Sequence, residues 1–177
     1  MSKDTKQQIL DAANHLIEQE GVAALTLESV AAAAGVSKGG LLYHFPNKDA
    51  LIEGMIAHLI QNFDERLGQS ADFADWLAAY VRLTLADMSL LSQAQFSILA
   101  AIANNPDLVQ PMADQTAAWQ KRIESVAKDP VLATIIRLAT DGLWYAEMLG
   151  IRQVSDEMKQ AVEKRLLEMI HDSTQSE

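Results

Sequence analysis

The chain contains no cysteine among its 177 residues. This absence excludes disulfides, cysteine nucleophiles and cysteine-based metal sites, since each of them requires a thiol. Long apolar runs are also missing, because no segment reaches the roughly 18 consecutive apolar residues of a membrane span. Residues 1–6 are polar and lack the apolar segment of a signal peptide. We therefore expect a cytoplasmic protein that does not associate with membranes.

Positive charge is scarce as well. The chain has 14 Lys and Arg against 24 Asp and Glu, which gives a net charge of −10. Residues 1–48 carry four lysines against five acidic residues, so most of the excess negative charge lies further along the chain. Nucleic-acid-binding proteins are usually basic. Any DNA binding must therefore depend on where single charges are placed, and its salt-sensitive phosphate contribution should be modest.

Glycine and proline are few, at eight and four residues, and they lie between segments of helical periodicity. Hydrophobic residues make up 49% of the chain, enough for a substantial core. The pattern predicts an all-α fold of about nine helices. They are expected over residues 4–20, 26–34, 37–45, 48–67, 73–88, 91–104, 112–127, 130–149 and 155–171.

Two of these helices are short and are separated by Gly35-Val36-Ser37. Thr26 and Ser37 precede them, and both residue types favour the N-cap position, where a side-chain oxygen accepts from a free helix amide. Two short helices joined by a three- to four-residue turn that contains glycine form the helix-turn-helix arrangement. In that arrangement the second helix enters the major groove of DNA.

The segment from Ile9 to Leu51 resembles the DNA-binding domain of the TetR family of transcriptional regulators. The matching residues are Ile9-Leu10-Asp11-Ala12-Ala13, Gly21, Thr26, Val30-Ala31, Ala34-Gly35-Val36-Ser37, Gly39, Tyr43-His44-Phe45 and Lys48. The resemblance implies a three-helix DNA-binding domain over residues 1–47 and a ligand-binding and dimerisation domain over 48–177. Many members have threonine and tyrosine where this chain has Gly40 and Leu42, so its DNA sequence preference should differ from theirs.

Eight residues are the predicted DNA contacts: Thr26, Ser37, Lys38, Gly39, Gly40, Tyr43, His44 and Lys48. A lysine at the start of the reading helix can reach guanine or a phosphate, and the resemblance implies phosphate contacts for Tyr43 and His44. Each glycine inside a helix costs about 1 kcal/mol relative to alanine, which suggests that a side chain there would obstruct the DNA. The alternatives are plain caps, solvated lysines, a loose first turn and a core histidine.

The predicted helix 130–149 is apolar on nearly all sides, with a narrow polar stripe at Thr134, Arg137 and Asp141. Such a helix is buried on more than one side. The resemblance implies that the last two helices form a four-helix bundle with a second copy, which predicts a homodimer. The predicted interface residues are Ile135, Leu138, Tyr145, Leu149, Met158, Val162, Leu166 and Met169. A two-fold dimer places its reading helices about 34–36 Å apart on a palindromic site.

The family commonly holds a small molecule among the helices of its second domain. The predicted pocket residues are Trp76, Tyr80, Met88, Phe96, Met112, Trp119 and Trp144, each of which is otherwise explained as plain core. Few ionisable residues lie on the apolar faces, so we expect an apolar or aromatic effector. No metal and no cofactor is expected.

These observations together predict a ligand-responsive repressor, not an enzyme. A helical enzyme is the first alternative, but no phosphate-binding glycine loop occurs and the four histidines, at positions 15, 44, 58 and 171, have no metal-ligand spacing. A dimeric scaffold that has lost DNA binding is the second alternative. The acidic composition favours it, and the retained Ser37, Lys38, Tyr43, His44 and Lys48 argue against it.

Overall fold

The structure is a computed structural model that describes residues 3–88, 105–151 and 154–175, and every regular element within these ranges is helical. The α-helices are α1 (Lys3–Glu20), α2 (Leu27–Ala33), α3 (Lys38–His44), α4 (Lys48–Leu67), α5 (Phe73–Met88), α6 (Gln110–Val126), α7 (Pro130–Met148) and α8 (Asp156–Gln175). Two short 3-10 helices span Val22–Ala24 and Pro106–Val109. The all-α prediction is confirmed, and the helix predicted over 91–104 lies outside the described residues.

Side-chain caps begin these helices where the sequence predicts them. The Thr26 and Ser37 hydroxyls accept from the amides of Ser29 and Gly40, at 3.1 Å in both cases. Further caps at Asn47, Asp129 and Ser155 accept from the third amide along the chain. Each cap satisfies an amide that has no partner within its own helix, so these starts are encoded locally.

Glycines with positive φ end three of the helices. Gly21, Gly35 and Gly150 have φ values of 78°, 64° and 69°. Residues with a β-carbon rarely adopt this left-handed conformation, and glycine adopts it freely. The predicted helix ends at these three positions are therefore confirmed, with a physical reason for the residue type.

The first of two compact units contains residues 3–61 and 105–114. Its core is apolar, and α1 packs on α2, which in turn packs on α3. Fully buried core residues include Ile9, Ile17, Val30, Leu41 and Leu51. Leu108 and Met112 also pack against this core.

The second unit contains residues 62–88, 115–151 and 154–175. Within it α5 packs against both α7 and α8. Its core includes Trp76, Val81, Ile123, Ile136 and Leu166, together with three buried polar side chains, Thr84, Arg137 and Thr140. Residues of α4 fall in both units, and the domain boundary between residues 47 and 48 stays a prediction.

Candidate nucleic-acid interface and ligand-binding region

The turn between α2 and α3 is closed by backbone hydrogen bonds. After α2, the amides of Gly35 and Val36 donate to the carbonyls of Ala32 and Ala31, at 3.1 and 3.0 Å. Leu41, on the inner face of α3, and Phe45, the C-cap of α3, are both buried in the apolar core. The core therefore fixes the orientation of α3, and its opposite face is left at the surface.

Six of the eight predicted DNA contacts are exposed. They are Thr26, Ser37, Lys38, Gly39, Tyr43 and Lys48, whereas Gly40 and His44 are half-buried. The Tyr43 side chain is 74% exposed, although it is large and aromatic. The structure thus places a hydroxyl and an ammonium group on the outer side of α3, with a second ammonium group at the start of α4.

The described residues place no packing requirement on Gly39. A β-carbon built at this position meets none of their atoms within 4 Å, apart from its chain neighbours and the adjacent backbone of its own helix. Its neighbour Gly40 donates its amide to Ser37 as part of the cap. Because no described neighbour excludes a side chain at position 39, the explanation for the glycine must be a loose first turn or the approach of an external molecule.

His44 is oriented differently from Tyr43. Within the described residues, His44 Nε2 is buried without a hydrogen-bond partner. The His44 ring lies edge-on to Tyr43, with centroids 5.2 Å apart, and is 6.5 Å from Phe45. Its Nε2 is therefore directed away from the exposed side, and a phosphate contact in this conformation would depend on Nδ1. The predicted role of His44 stays a prediction.

The sequence reasoning missed an acidic partner of the reading helix. Lys38 Nζ lies 2.6 Å from Glu28 Oε1, and the pair joins the first turn of α2 to the first turn of α3. The hydrogen bond from Lys38 lowers the pKa of Glu28. A separation of ten residues carries no helical periodicity, so no sequence signal pointed to this pair.

Three of the seven predicted pocket residues come together. Trp76, Tyr80 and Trp119 are buried beside Phe63, with neighbouring ring centroids between 5.4 and 5.8 Å apart. The Trp119 indole also donates to Asp64 Oδ1 at 2.9 Å. We call Phe63, Trp76, Tyr80 and Trp119 the aromatic cluster, because each ring lies against at least one of the others.

The other four pocket residues lie elsewhere. Met112 packs against the core of the first unit, and Trp144 packs on Tyr145 with centroids 5.1 Å apart. The Met88 side chain and the whole of Phe96 lie outside the described residues. A shared pocket for all seven therefore stays a prediction.

A buried polar network adjoins the aromatic cluster. The Tyr80 hydroxyl donates to Asp141 Oδ1 at 2.6 Å, and Arg137 donates to Asp141 Oδ2 at 2.6 Å and to Gln120 Oε1 at 3.0 Å. Burial raises the pKa of Asp141, opposed by its hydrogen bonds and by the charge of Arg137. Burial and the Asp141 carboxylate raise the pKa of Tyr80 well above its ordinary value. The polar stripe seen in the sequence is thus partnered inside the unit.

A separate cavity of about 250 Å³ opens in the second unit, between the start of α5, the α6–α7 junction and the end of α8. Its apolar lining includes Phe73, Leu77, Leu132, Ile136 and Ile170. None of the seven predicted pocket residues lines it. Sequence periodicity could not reveal it, because the lining comes from separate helices.

The predicted dimer residues divide between the surface and the core. Ile135, Leu138, Tyr145, Leu149 and Met158 are exposed, Val162 and Met169 are half-buried, and Leu166 lies in the core of its own unit. Val131 and Gly142 are also exposed and were not predicted. We call the row formed along α7 and its C-cap the α7 stripe: Val131, Ile135, Leu138, Gly142, Tyr145 and Leu149. Its spacing of four and three residues is that of a helix-packing seam.

The described part of the chain has no helix long and apolar enough to cross a membrane. The same residues contain no group of three or more histidine and carboxylate side chains arranged to hold a metal ion. Exposed Tyr43, Lys38 and Lys48 are instead groups that can donate hydrogen bonds to an anionic partner.

Comparison with known proteins identifies the family. Residues 9–55 match the bacterial regulatory proteins of the tetR family, and residues 74–171 match the tetracyclin repressor-like C-terminal domain. The transcriptional regulator TtgR of Pseudomonas putida is 34% identical over 86 residues, which cover 48% of this chain and 41% of TtgR. The chain therefore matches less than half the length of this curated relative.

Solved structures show the same fold over nearly the whole chain. The multidrug binding protein EbrR in complex with ethidium has a TM-score of 0.67 at 22% identity, covering 92% of this chain and 98% of that one. A transcriptional regulator from Rhodococcus sp. Rha1 has a TM-score of 0.68 at 19% identity, covering 96% of both chains.

The two family matches together extend over most of the sequence. The chain belongs to the TetR family of transcriptional regulators. This membership agrees with the expectation of a regulatory protein rather than an enzyme.

Proposed function

We propose that this chain is a repressor that binds a palindromic DNA operator as a homodimer and is released by a small-molecule effector. The observation that carries the proposal is the Ser37-capped α3, held by Leu41 and Phe45 in the core and presenting Lys38, Gly39 and Tyr43 outward. An exposed second helix of a helix-turn-helix fits the major groove. Lys48, exposed at the start of α4, lies where a phosphate partner is expected from the family resemblance.

The exposed α7 stripe supports the homodimer. Large apolar side chains in a row at four- and three-residue spacing form a continuous patch, and such patches mark interaction sites. A β-carbon added at exposed Gly142 meets no described atom within 4 Å outside the adjacent part of its own helix, so a second helix can approach closely at the middle of the stripe. A second copy supplies the same stripe, as a two-fold interface requires.

The effector is proposed to bind in the second unit and to be apolar or aromatic. EbrR, which shares the fold, binds ethidium, a planar aromatic molecule. Two places are candidates: the aromatic cluster, whose rings would have to separate, and the 250 Å³ cavity, which is open. Ligands bind preferentially in concave apolar sites with a few polar groups, and both places have that composition.

Release requires that the effector bind one conformation better than the other. The contact that supports coupling is the hydrogen bond from Trp119 to Asp64, because Asp64 lies near the end of α4 and Trp119 belongs to the aromatic cluster. We propose that rearrangement of the cluster displaces α4 and changes the separation of the two reading helices.

A band-shift assay with the upstream region of the chain's own gene tests the proposal. A sequence-specific shift that weakens in the presence of the effector supports a repressor. A properly dimeric sample that gives no specific shift at any of several salt concentrations would support the scaffold that has lost DNA binding.

The combined variant Tyr43→Ala, Lys48→Ala tests the proposed phosphate contacts. We expect affinity for the operator to fall on the order of tenfold, with a salt slope shallower by about 0.9 per subunit, because Lys48 neutralises a phosphate and the uncharged Tyr43 hydroxyl does not. The matched control is Lys121→Ala, which removes an exposed lysine from α6. Unchanged binding by the combined variant contradicts the assigned contacts.

A further inference from the structure

The helix-turn-helix has very little charge of its own. Within residues 26–48, Lys38 and Lys48 are the only lysines or arginines and Glu28 is the only acidic residue. Glu28 holds one of the two lysines in an ion pair at 2.6 Å. Half of the element's fixed positive charge is therefore already engaged before any DNA is present.

The ion pair is not needed to hold the two helices together. The Lys38 and Glu28 side chains are 58% and 64% exposed, and exposed ion pairs contribute little to folding. The packing of α2 on α3 depends instead on buried Val30, Ala31 and Leu41. What the pair changes is the charge presented at the surface, because a lysine bound to a carboxylate cannot also neutralise a phosphate at full strength.

We propose, on the basis of the proposed DNA binding, that Glu28 competes with DNA for Lys38 and thereby suppresses binding to unrelated sequences. Binding to unrelated DNA depends on phosphate neutralisation and on the release of counterions. Lys38 must break its ion pair with Glu28 before it can bind a phosphate, so it contributes less to binding of unrelated DNA. At a cognate site, an acceptor oriented toward Lys38 compensates for the lost ion pair. Specificity is a difference of affinities, so a group that weakens the wrong complexes raises it.

The test is the affinity of the full chain for a random-sequence duplex, measured by fluorescence anisotropy at several salt concentrations. For Glu28→Gln we expect binding to tighten on the order of tenfold in a dimer at low salt, with a salt slope steeper by about 0.9 per subunit. The control Glu18→Gln makes the same charge change at an exposed position of α1 and should lack the slope change. In a Lys38→Gln background the change of salt slope caused by Glu28→Gln should disappear, because no lysine is then freed to neutralise a phosphate.

Equal binding by Glu28→Gln and Glu18→Gln overturns the inference, as does a change of salt slope on Glu28→Gln that persists without Lys38. Thermal unfolding of each variant checks that the fold is retained. If the wild type binds DNA and Glu28→Gln binds it no better, the inference is wrong and the proposed function is unaffected. Absence of DNA binding by the wild type and all variants overturns the proposed function and the inference together.

Discussion

The two units of the chain distribute polar and apolar side chains in opposite ways. In the first unit the described core is apolar, and its helices begin at side-chain caps on the surface. In the second unit the core contains Arg137, and Asp141 is partly buried beside it, while the α7 stripe of apolar residues faces outward. Exposed large apolar side chains occur in both units, but in the second they form a row along one helix.

This difference indicates where stability and specificity come from in each unit. Caps at separate helix starts contribute about 1 kcal/mol each, and such distant sites contribute independently of one another. A buried ion pair is costly to assemble and still more costly to break, because the remaining charge has no partner. Substitution of only one partner of the Arg137–Asp141 pair should therefore destabilise the second unit. Replacement of both partners by apolar residues of similar volume should be tolerated better.

The largest expected effect concerns the α7 stripe. Leu138→Glu places a charge in the middle of the α7 stripe and should convert a dimer into a monomer. Because linked sites gain roughly 10²–10⁴ in avidity, we expect affinity for the operator to fall at least about 100-fold. Sedimentation and band shift measure the two effects.

The control for that change is Val126→Glu, at an exposed valine of α6 that lies outside the stripe. It should leave the oligomeric state unchanged. If the Leu138→Glu variant is still a dimer, the α7 stripe is not the dimer interface and differs in this respect in no way from the control position on α6.

The second effect concerns the polar core. Arg137→Met leaves Asp141 without its cationic partner, and breaking a buried pair costs about 3–5 kcal/mol. For a chain of this size we expect the Tm to fall by roughly 6–20 °C. Arg165→Met is the matched control, because Arg165 pairs with Glu168 at the surface, with side chains 67% and 45% exposed. Equal effects of the two variants on thermal unfolding would show that burial does not distinguish the pairs.

The sequence is informative for the first unit because its signals are local. Thr26, Gly35 and Ser37 lie within twelve residues of one another, and each determines the backbone at its own position. The start and end of α2 and the start of α3 follow from them. The exposed side of α3 follows too, once Leu41 and Phe45 are assigned to the core.

Partners that are distant in sequence could not be predicted. Tyr80 and Asp141 are 61 residues apart, and no periodicity relates them. Similarly, Leu166 fits an apolar helix face whether that face meets its own unit or a second copy, and only the packed structure places it inside. The cavity has the same origin, since its walls come from separate helices.

A smaller effect tests the local encoding of the first unit. Ser37→Ala removes the oxygen that accepts from Gly40 and should cost about 1 kcal/mol, which lowers the Tm by roughly 2–4 °C. Ser37→Asn retains a capping oxygen and should recover most of the loss. If alanine and asparagine give the same Tm, the start of α3 is held by its core contacts rather than by its cap.

The smallest expected effect is a pH dependence of the polar core. Burial raises the pKa of Asp141 above its ordinary value of 3.8, so ionisation is less favourable in the folded chain than in the unfolded one. Protonated Asp141 therefore stabilises the folded chain at pH values below the pKa of this group in the unfolded chain. That stabilisation is lost as the pH rises through the higher pKa of Asp141 in the folded chain. Asparagine does not titrate, so any stability advantage of the wild type over Asp141→Asn should shrink as the pH rises above about 4. Urea unfolding of both proteins across this range measures the difference. An advantage that grows with pH would mean that the hydrogen bonds from Tyr80 and Arg137 outweigh burial, and the second unit's core would then favour the ionised carboxylate.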